Sequence, residues 1–273
     1  MKRIQAILRT ITGKNSPSEL LTGIPGRLPQ SANEDINCLN GVWDILEELG
    51  KEEQESEFIS KRIGKEIRRR EKQNGHVSKS SNDVLEIYSQ PRVTQCAKEC
   101  GLKPGWSLDL RTQGEEGTPW DFDCEKQRRR AMLKVEQDKP RLLILSPMCS
   151  AFSSLQGLNY CKKDPVEVKN LLKRAISHLS FAMSLCEMQS KAGRYFVFEH
   201  PKTAKSWQMS CVNRVMKLPG VVRTNVDMCM FGMTTTDEKG EVVHALKATG
   251  LMTNSPQLAK RMLKHGTCDR THR

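Results

Sequence analysis

Apolar residues in this chain fall into short continuous runs separated by amphipathic stretches. The clearest run, Leu142 to Leu145, follows Lys139 and Pro140 and stops abruptly at Ser146, Pro147, Met148 and Cys149. A run this short and this uniformly apolar predicts a strand covered on both faces, as in a parallel sheet. Val84 to Tyr88 (VLEIY), Gly105 to Leu110 (GWSLDL), Tyr195 to Phe198 and Val221 to Val226 predict four more strands. Between them the spacing turns helical. Val93, Ala97 and Cys100 share a face, with Gly101 as the stop, and a basic helix is predicted from Cys124 to about Glu136. Asp164 and Pro165 open a long core helix marked by Val166, Leu171, Leu172, Ala175, Ile176, Leu179, Ala182, Met183 and Cys186 and ended by Gly193. Trp207 to Leu218 and Pro256 to Leu263 predict two further helices, and the remainder of residues 233–273 reads as loops. Strand and helix alternate, which predicts a doubly wound α/β fold with a parallel sheet and right-handed crossovers.

The first 82 residues follow a different pattern. Residues 1–40 are polar and broken by Pro17, Pro25 and Pro29, so little fixed structure is expected there. Leu39, Val42, Ile45, Leu46 and Leu49 predict a short helix ended by Gly50. Residues 51–73 alternate in charge around a thin stripe of Phe58, Ile59, Ile63 and Ile67, the pattern of a solvated helix. The basic residues from Lys61 to Lys72 fit that solvated face better than a localisation or nucleic-acid patch. Gly75 to Asn82 reads as a linker, which divides the chain into an extension, 1–82, and a main domain, 83–273.

At 273 residues the chain has room for one large α/β domain and this extension. No apolar run approaches the 18 or so residues of a membrane span, and the first residues lack a signal segment. The expectation is an intracellular, soluble protein that is not secreted and is nuclear if its source is eukaryotic. Ten cysteines without a CxxC pair argue against a zinc ribbon and for reduced thiols. His265, Cys268 and His272 have loosely metal-like spacing but stand in a polar tail, so no metal is expected. The net charge is +12, and its placement is informative: residues 1–82 hold 14 Lys and Arg against 12 Asp and Glu, the remainder 30 against 20. A main domain this basic favours a polyanionic partner such as nucleic acid. Aromatic residues make up only 5%, so a stacking platform for single strands is not expected.

Two of the predicted strands end in reactive side chains. One delivers Cys149; the other runs from Phe198 straight into Glu199, His200 and Pro201. A single cysteine most often only packs, and an acid at a strand end is often only a cap, so the pair carries more weight than either member. Asp109 stands at the end of the second strand, about 20 residues after the first turn, where a mononucleotide-binding unit keeps an acid for ribose hydroxyls. The glycine-rich turn that usually accompanies it is missing. Trp120 to Asp123 (WDFD) is expected to line the same pocket, and Arg128, Arg129 and Arg130 to form an exposed face.

In that order the blocks resemble the S-adenosylmethionine-dependent cytosine carbon-5 methyltransferases, over roughly residues 83–232. VLEIYS looks like that family's first cofactor motif, LDL like its ribose-binding acid, SPMCSAFS like its Pro-Cys nucleophile loop, and FVFEHP like its Glu-Asn-Val motif. The resemblance implies a mostly parallel sheet of the S-adenosylmethionine methyltransferase type, often closed by an antiparallel hairpin, here at Asp227 to Gly232. It implies S-adenosylmethionine as cofactor, held by Glu86, Tyr88, Ser89, Asp109, Leu110, Asp121 and Phe122. Ser146, Pro147 and Cys149 would form the nucleophile loop, and Glu199 would be the catalytic acid. The implied partner is nucleic acid, DNA in preference to RNA, and nothing indicates an oligomeric state. Carbon 5 of cytosine is too weak a nucleophile to be methylated directly; a thiolate adding at carbon 6 makes it enamine-like, and an acid must meet the charge at the ring nitrogen. Such enzymes extrude the base from the duplex.

The chain also departs from the family pattern. Met148 replaces a proline, Ser150 a glutamine and His200 an asparagine; Ser89, Gln90, Pro91 and Arg92 replace the glycine-containing loop. A Gln-x-Arg-x-Arg block is absent, and the residues after Gly232 are too few for a full target-recognition domain. The outline is similar to divergent methyltransferase-like domains of mobile-element polyproteins. Two other readings remain at this stage: a non-catalytic relative that binds nucleic acid, and an unrelated thiol enzyme with His200 as base.

Overall fold

The computed structural model describes residues 45, 82–97, 101–114, 117–153, 156, 159–264 and 267–271. The expectations for residues 1–81 lie outside these, Ile45 excepted, as do Cys100, His265 and His272. Ile45 is helical, half-buried and packed against the core.

Six strands form one sheet in the order β2-β1-β3-β4-β8-β5: β1 (Val84–Ile87), β2 (Pro104–Leu108), β3 (Leu142–Leu145), β4 (Tyr195–Pro201), β5 (Val222–Asp227) and β8 (Ala248–Thr253). The pairs β1–β2, β1–β3 and β3–β4 are parallel, whereas β8 runs antiparallel to both β4 and β5. The fold is thus α/β on a mostly parallel sheet, compatible with a Rossmann-like fold. From β1 the chain goes first to one side (β2), then returns past β1 to β3 and β4. That reversal is a topological switch point at the carboxyl ends of β1 and β3, where open α/β sheets form their crevice.

Among the described residues, the sheet is accompanied by α1 (Val93–Ala97), α2 (Glu125–Asp138), α3 (Pro165–Lys191), α4 (Ser210–Met216) and α5 (Pro256–Lys264). The long helix α3 starts as the spacing predicts: the Asp164 carboxylate accepts the Val166 N–H at 2.6 Å, with Pro165 in the first turn. Leu172, Ile176, Leu179, Met183 and Cys186 on its inner face are fully buried against the sheet. Gly193, at φ 68°, adopts the left-handed conformation that ends the element. Phe196 and Phe198 of β4, Leu143 and Leu145 of β3, and Leu85 and Ile87 of β1 are fully buried too. Each such side chain contributes about 1.5–3 kcal/mol, so the centre of the sheet is its most stable part.

The structure differs from the sequence expectations in several places. Residues 233–253, read as loops, contain a two-stranded hairpin, β6 (Thr234–Thr236) with β7 (Val242–His244), and then β8. The antiparallel closure expected at Asp227 to Gly232 is a 3₁₀ turn, Met228–Phe231, and β8 makes the antiparallel pairings instead. Strand β2 ends at Leu108 because Asp109 starts a turn, its Oδ1 accepting the Arg111 N–H and its own N–H donating to Thr112 Oγ1. On α1 the buried positions are Thr94 and Ala97 while Val93 is exposed, since Thr94 serves a polar contact described below. Val166, the second residue of α3, is exposed. The helix expected from Trp207 is split into a 3₁₀ turn, Lys205–Gln208, and α4. Of the described thiols, Cys96, Cys124, Cys149, Cys186, Cys211, Cys229 and Cys268 are free, as the default of reduced thiols expects, and Cys161 is the exception, being disulfide-bonded. No described helix is long and apolar enough to cross a membrane.

Candidate active site

Parallel pairing in register sets the geometry: Leu145 of β3 lies opposite Ile87 of β1 on one side and Phe198 of β4 on the other. The residues that follow these three strand ends therefore converge. After Leu145 the chain leaves the sheet as an extended segment, with Ser146 half-buried, Pro147 buried and Met148 exposed, and Ser146 N–H donates to the Ile87 carbonyl at 3.3 Å. Cys149 then caps a 3₁₀ turn, Ser150–Phe152. Its carbonyl accepts the Phe152 N–H at 3.0 Å, Phe152 is fully buried, and Tyr160 donates its hydroxyl to the Ala151 carbonyl at 2.9 Å. The loop carrying the thiol is therefore anchored at its downstream end by an aromatic side chain in the core.

Glu199, on β4, is the second member. Its carboxylate Oε1 lies 3.0 Å from Nζ of Lys247, the residue just before β8. Both charges act on Cys149. Burial is the largest influence and pushes the thiol above its ordinary pKa, the Glu199 charge pushes it further, and the Lys247 ammonium offsets part of this. Cys149, Glu199 and Lys247 thus face one space at the carboxyl ends of β3 and β4. Alkylation of Cys149 by iodoacetamide, followed by mass spectrometry, is expected to accelerate with pH beyond about 8.5. Glu199→Gln should shift that profile to lower pH, because a charge opposing the thiolate is gone, and Lys247→Met should shift it to higher pH. Superimposable profiles in all three proteins would show that the groups do not share a space.

His200 is completely buried. Burial lowers its pKa to about 4, with the backbone of Met148 and Pro147 offsetting a part. Its Nδ1 shares a 2.5 Å hydrogen bond with Ser206 Oγ, and its ring lies 5.3 Å from that of Phe198 and 5.9 Å from that of Phe152. The enclosed imidazole, with Nδ1 committed to Ser206, braces β4 against the Cys149 loop. Trp207 packs beside it over Gly250 of β8, where an added Cβ would sit 2.7 Å from the indole.

Of the expected cofactor residues, Glu86, Tyr88 and Ser89 stand at the end of β1 and Asp109 and Leu110 after β2, whereas Asp121 and Phe122 lie shortly before α2. Glu86 is buried, and its Oε1 accepts the Arg92 N–H (3.1 Å), the Thr94 N–H (2.6 Å) and the Thr94 hydroxyl (2.8 Å), which holds the loop after β1 onto α1. Tyr88 has φ 66°, a left-handed conformation that costs a non-glycine residue roughly 1–2 kcal/mol. The strain is held by its N–H, bonded to the Leu108 carbonyl at 2.8 Å, and by its hydroxyl, 2.9 Å from His178 Nδ1. Ser89 is half-buried, and its carbonyl accepts the Ser107 hydroxyl at 2.5 Å. Asp109 is half-buried, Leu110 and Asp121 are exposed, and Phe122 is buried with its ring 4.8 Å from Tyr88 and 5.3 Å from Phe181. Beyond Tyr88, His178 Nε2 lies 2.9 Å from Asp123 Oδ1, and Asp123 also takes two hydrogen bonds from Arg174. Burial works against ionised Asp123, but the hydrogen bonds from Arg174 and His178 outweigh it and hold its pKa below the ordinary value.

No known family matches the chain, and no curated protein matches it.

Lys247, His178 and Arg174 were not found from the sequence. Lys247 lies in a stretch whose apolar pattern is interrupted by Gly250, and the other two are polar positions on a helix read only for its apolar face. Asp123 was placed at this pocket, but not in a relay with Tyr88 and His178.

Proposed function

We propose that this protein transfers a methyl group from S-adenosylmethionine to carbon 5 of cytosine in nucleic acid, DNA in preference to RNA, through a covalent Cys149 adduct. The observation that carries the reading is the convergence of Cys149 and Glu199 on one space at the ends of adjacent parallel strands, with Lys247 against the carboxylate. The thiolate adds to carbon 6 of the ring, and Glu199 holds a proton at the ring nitrogen as charge builds there. Lys247 positions that carboxylate. The sheet supports the same reading: its switch point lies beside the thiol, and it is closed by an antiparallel strand, as in the methyltransferase type named above.

The cofactor fits part of the crevice. Asp109 uses Oδ1 for the Arg111 N–H, which leaves Oδ2 for ribose hydroxyls, and Tyr88 and Phe122 offer aromatic surface for a purine. S-adenosylmethionine, when bound, would supply the methyl group for carbon 5. The fit is poorest at the loop after β1, where Pro91 has no N–H and the Arg92 and Thr94 N–H groups are taken by Glu86. That observation favours a second reading, a methyltransferase-like protein that binds nucleic acid without chemistry.

One experiment separates the two. Duplex DNA and, in parallel, RNA are incubated with the protein and S-adenosylmethionine and read by bisulfite sequencing, with calorimetry of the methyl donor alone. New protected cytosines are expected. Calorimetry silent for the donor, no protected cytosine, and retained DNA binding would replace the first reading with the second.

A further inference from the structure

The carboxyl-terminal segment returns to the sheet beside the end of β5. The Asp227 carboxylate accepts the main-chain N–H of Cys268 at 2.8 Å. Two residues after Asp227, on the 3₁₀ turn Met228–Phe231, stands Cys229, and its thiol is hydrogen-bonded to that of Cys268. Two reduced thiols in side-chain contact, 39 residues apart in sequence, are thus aligned by a carboxylate that fixes the backbone of one next to the turn carrying the other. Cys229 is buried and Cys268 partly exposed, so one thiol is open to solvent and the other sheltered behind it.

We propose that Cys229 and Cys268 form a modification site, a thiol pair that a peroxide converts to a disulfide, clamping the carboxyl-terminal segment onto the end of β5. The peroxide oxidises the partly exposed Cys268 thiol to a sulfenic acid and is itself reduced to water or an alcohol. The Cys229 sulfur then attacks the Cys268 sulfur, the S–O bond breaks, and the hydroxyl leaves with the thiol proton as a second molecule of water. The clamp acts next to the candidate active site: the N–H of Met228, beside Cys229, donates to the Lys247 carbonyl at 3.0 Å, and the Lys247 ammonium meets Glu199. Tying down the turn therefore stiffens the support of Lys247. The site stands independently of the proposed methyl transfer.

The test uses the full chain, treated with a few equivalents of hydrogen peroxide, blocked with iodoacetamide and digested with trypsin. Peptides 224–239 and 265–270 each contain one of the two cysteines and no other. They are expected to appear joined, two hydrogens lighter than their sum, and to separate on reduction; Cys268→Ser and Cys229→Ser should each abolish the joined species. The oxidised wild type should also melt higher than the reduced protein, on the order of 5 °C, a shift absent from the Cys268→Ser variant. Cys268→Ser changes a partly exposed side chain and keeps the comparison interpretable if Cys229→Ser fails to fold. Two separately alkylated peptides after peroxide, or either cysteine joined instead to Cys96, Cys124 or Cys211, would overturn the proposal.

Discussion

Replacing Cys149 with alanine is expected to lower methyl transfer by roughly 10⁴-fold or more while leaving the fold in place, the size of loss seen when a covalent nucleophile is removed. The fold should survive because the sulfur is only half-buried and lies outside the core cluster. The turn that carries it is held by Phe152, by the Tyr160 hydroxyl on the Ala151 carbonyl, and by the His200 brace. The melting temperature should therefore change by no more than about 2 °C, as for a substitution outside the named destabilising mechanisms. A duplex with fluorine at carbon 5 of the target cytosine gives a second readout. Fluorine cannot leave as a proton does, so the adduct should persist on the wild-type protein and never form on Cys149→Ala. A variant that keeps even a few percent of wild-type methylation would remove Cys149 from the chemistry and the covalent route with it.

Much of this site was legible because parallel strands carry their information densely. LLIL and YFVF are unbroken apolar runs, even though Tyr195 is exposed, so their ends, and the Cys149 and Glu199 that follow, could be placed without a structure. The start of α3 was legible for a similar reason: Asp164 and Pro165 are a local, self-contained signal. The other half of the sheet carried no such signal. Strand β8 contains Gly250 because Trp207 needs the space above it, a constraint set by a residue 43 positions away. The hairpin strands are three residues each and nearly all exposed, so no alternation exists to be read. Lys247 was hidden with them. Glu86 was named only as a cofactor residue that the resemblance implies, and its three hydrogen bonds fall on Arg92 and Thr94, contacts that spacing alone does not reveal.

Phe152→Ala tests whether the core positions the nucleophile as well as stabilising the domain. Removing a fully buried phenylalanine should cost about 3–5 kcal/mol, a fall in melting temperature on the order of 10 °C. Phe196→Ala should cost about as much, since Phe196 is equally buried, but it lies at the other end of β4, three residues before Glu199 and far along the strand from the Cys149 turn. The two variants separate stability from position. Phe152 donates its N–H to the Cys149 carbonyl from within one 3₁₀ turn, and its ring faces His200, so a cavity there lets the thiol drift. A displacement of about 1 Å is enough for a loss of roughly 10²-fold in rate. Measured at a temperature where both variants are fully folded, Phe152→Ala should therefore lose methyl transfer by about that factor beyond Phe196→Ala. Its Cys149 alkylation profile should also move, because the balance of burial, Glu199 and Lys247 around the sulfur has changed. Equal activities and equal profiles in the two variants would mean that the ring only fills space and that the thiol is aimed by the strand alone.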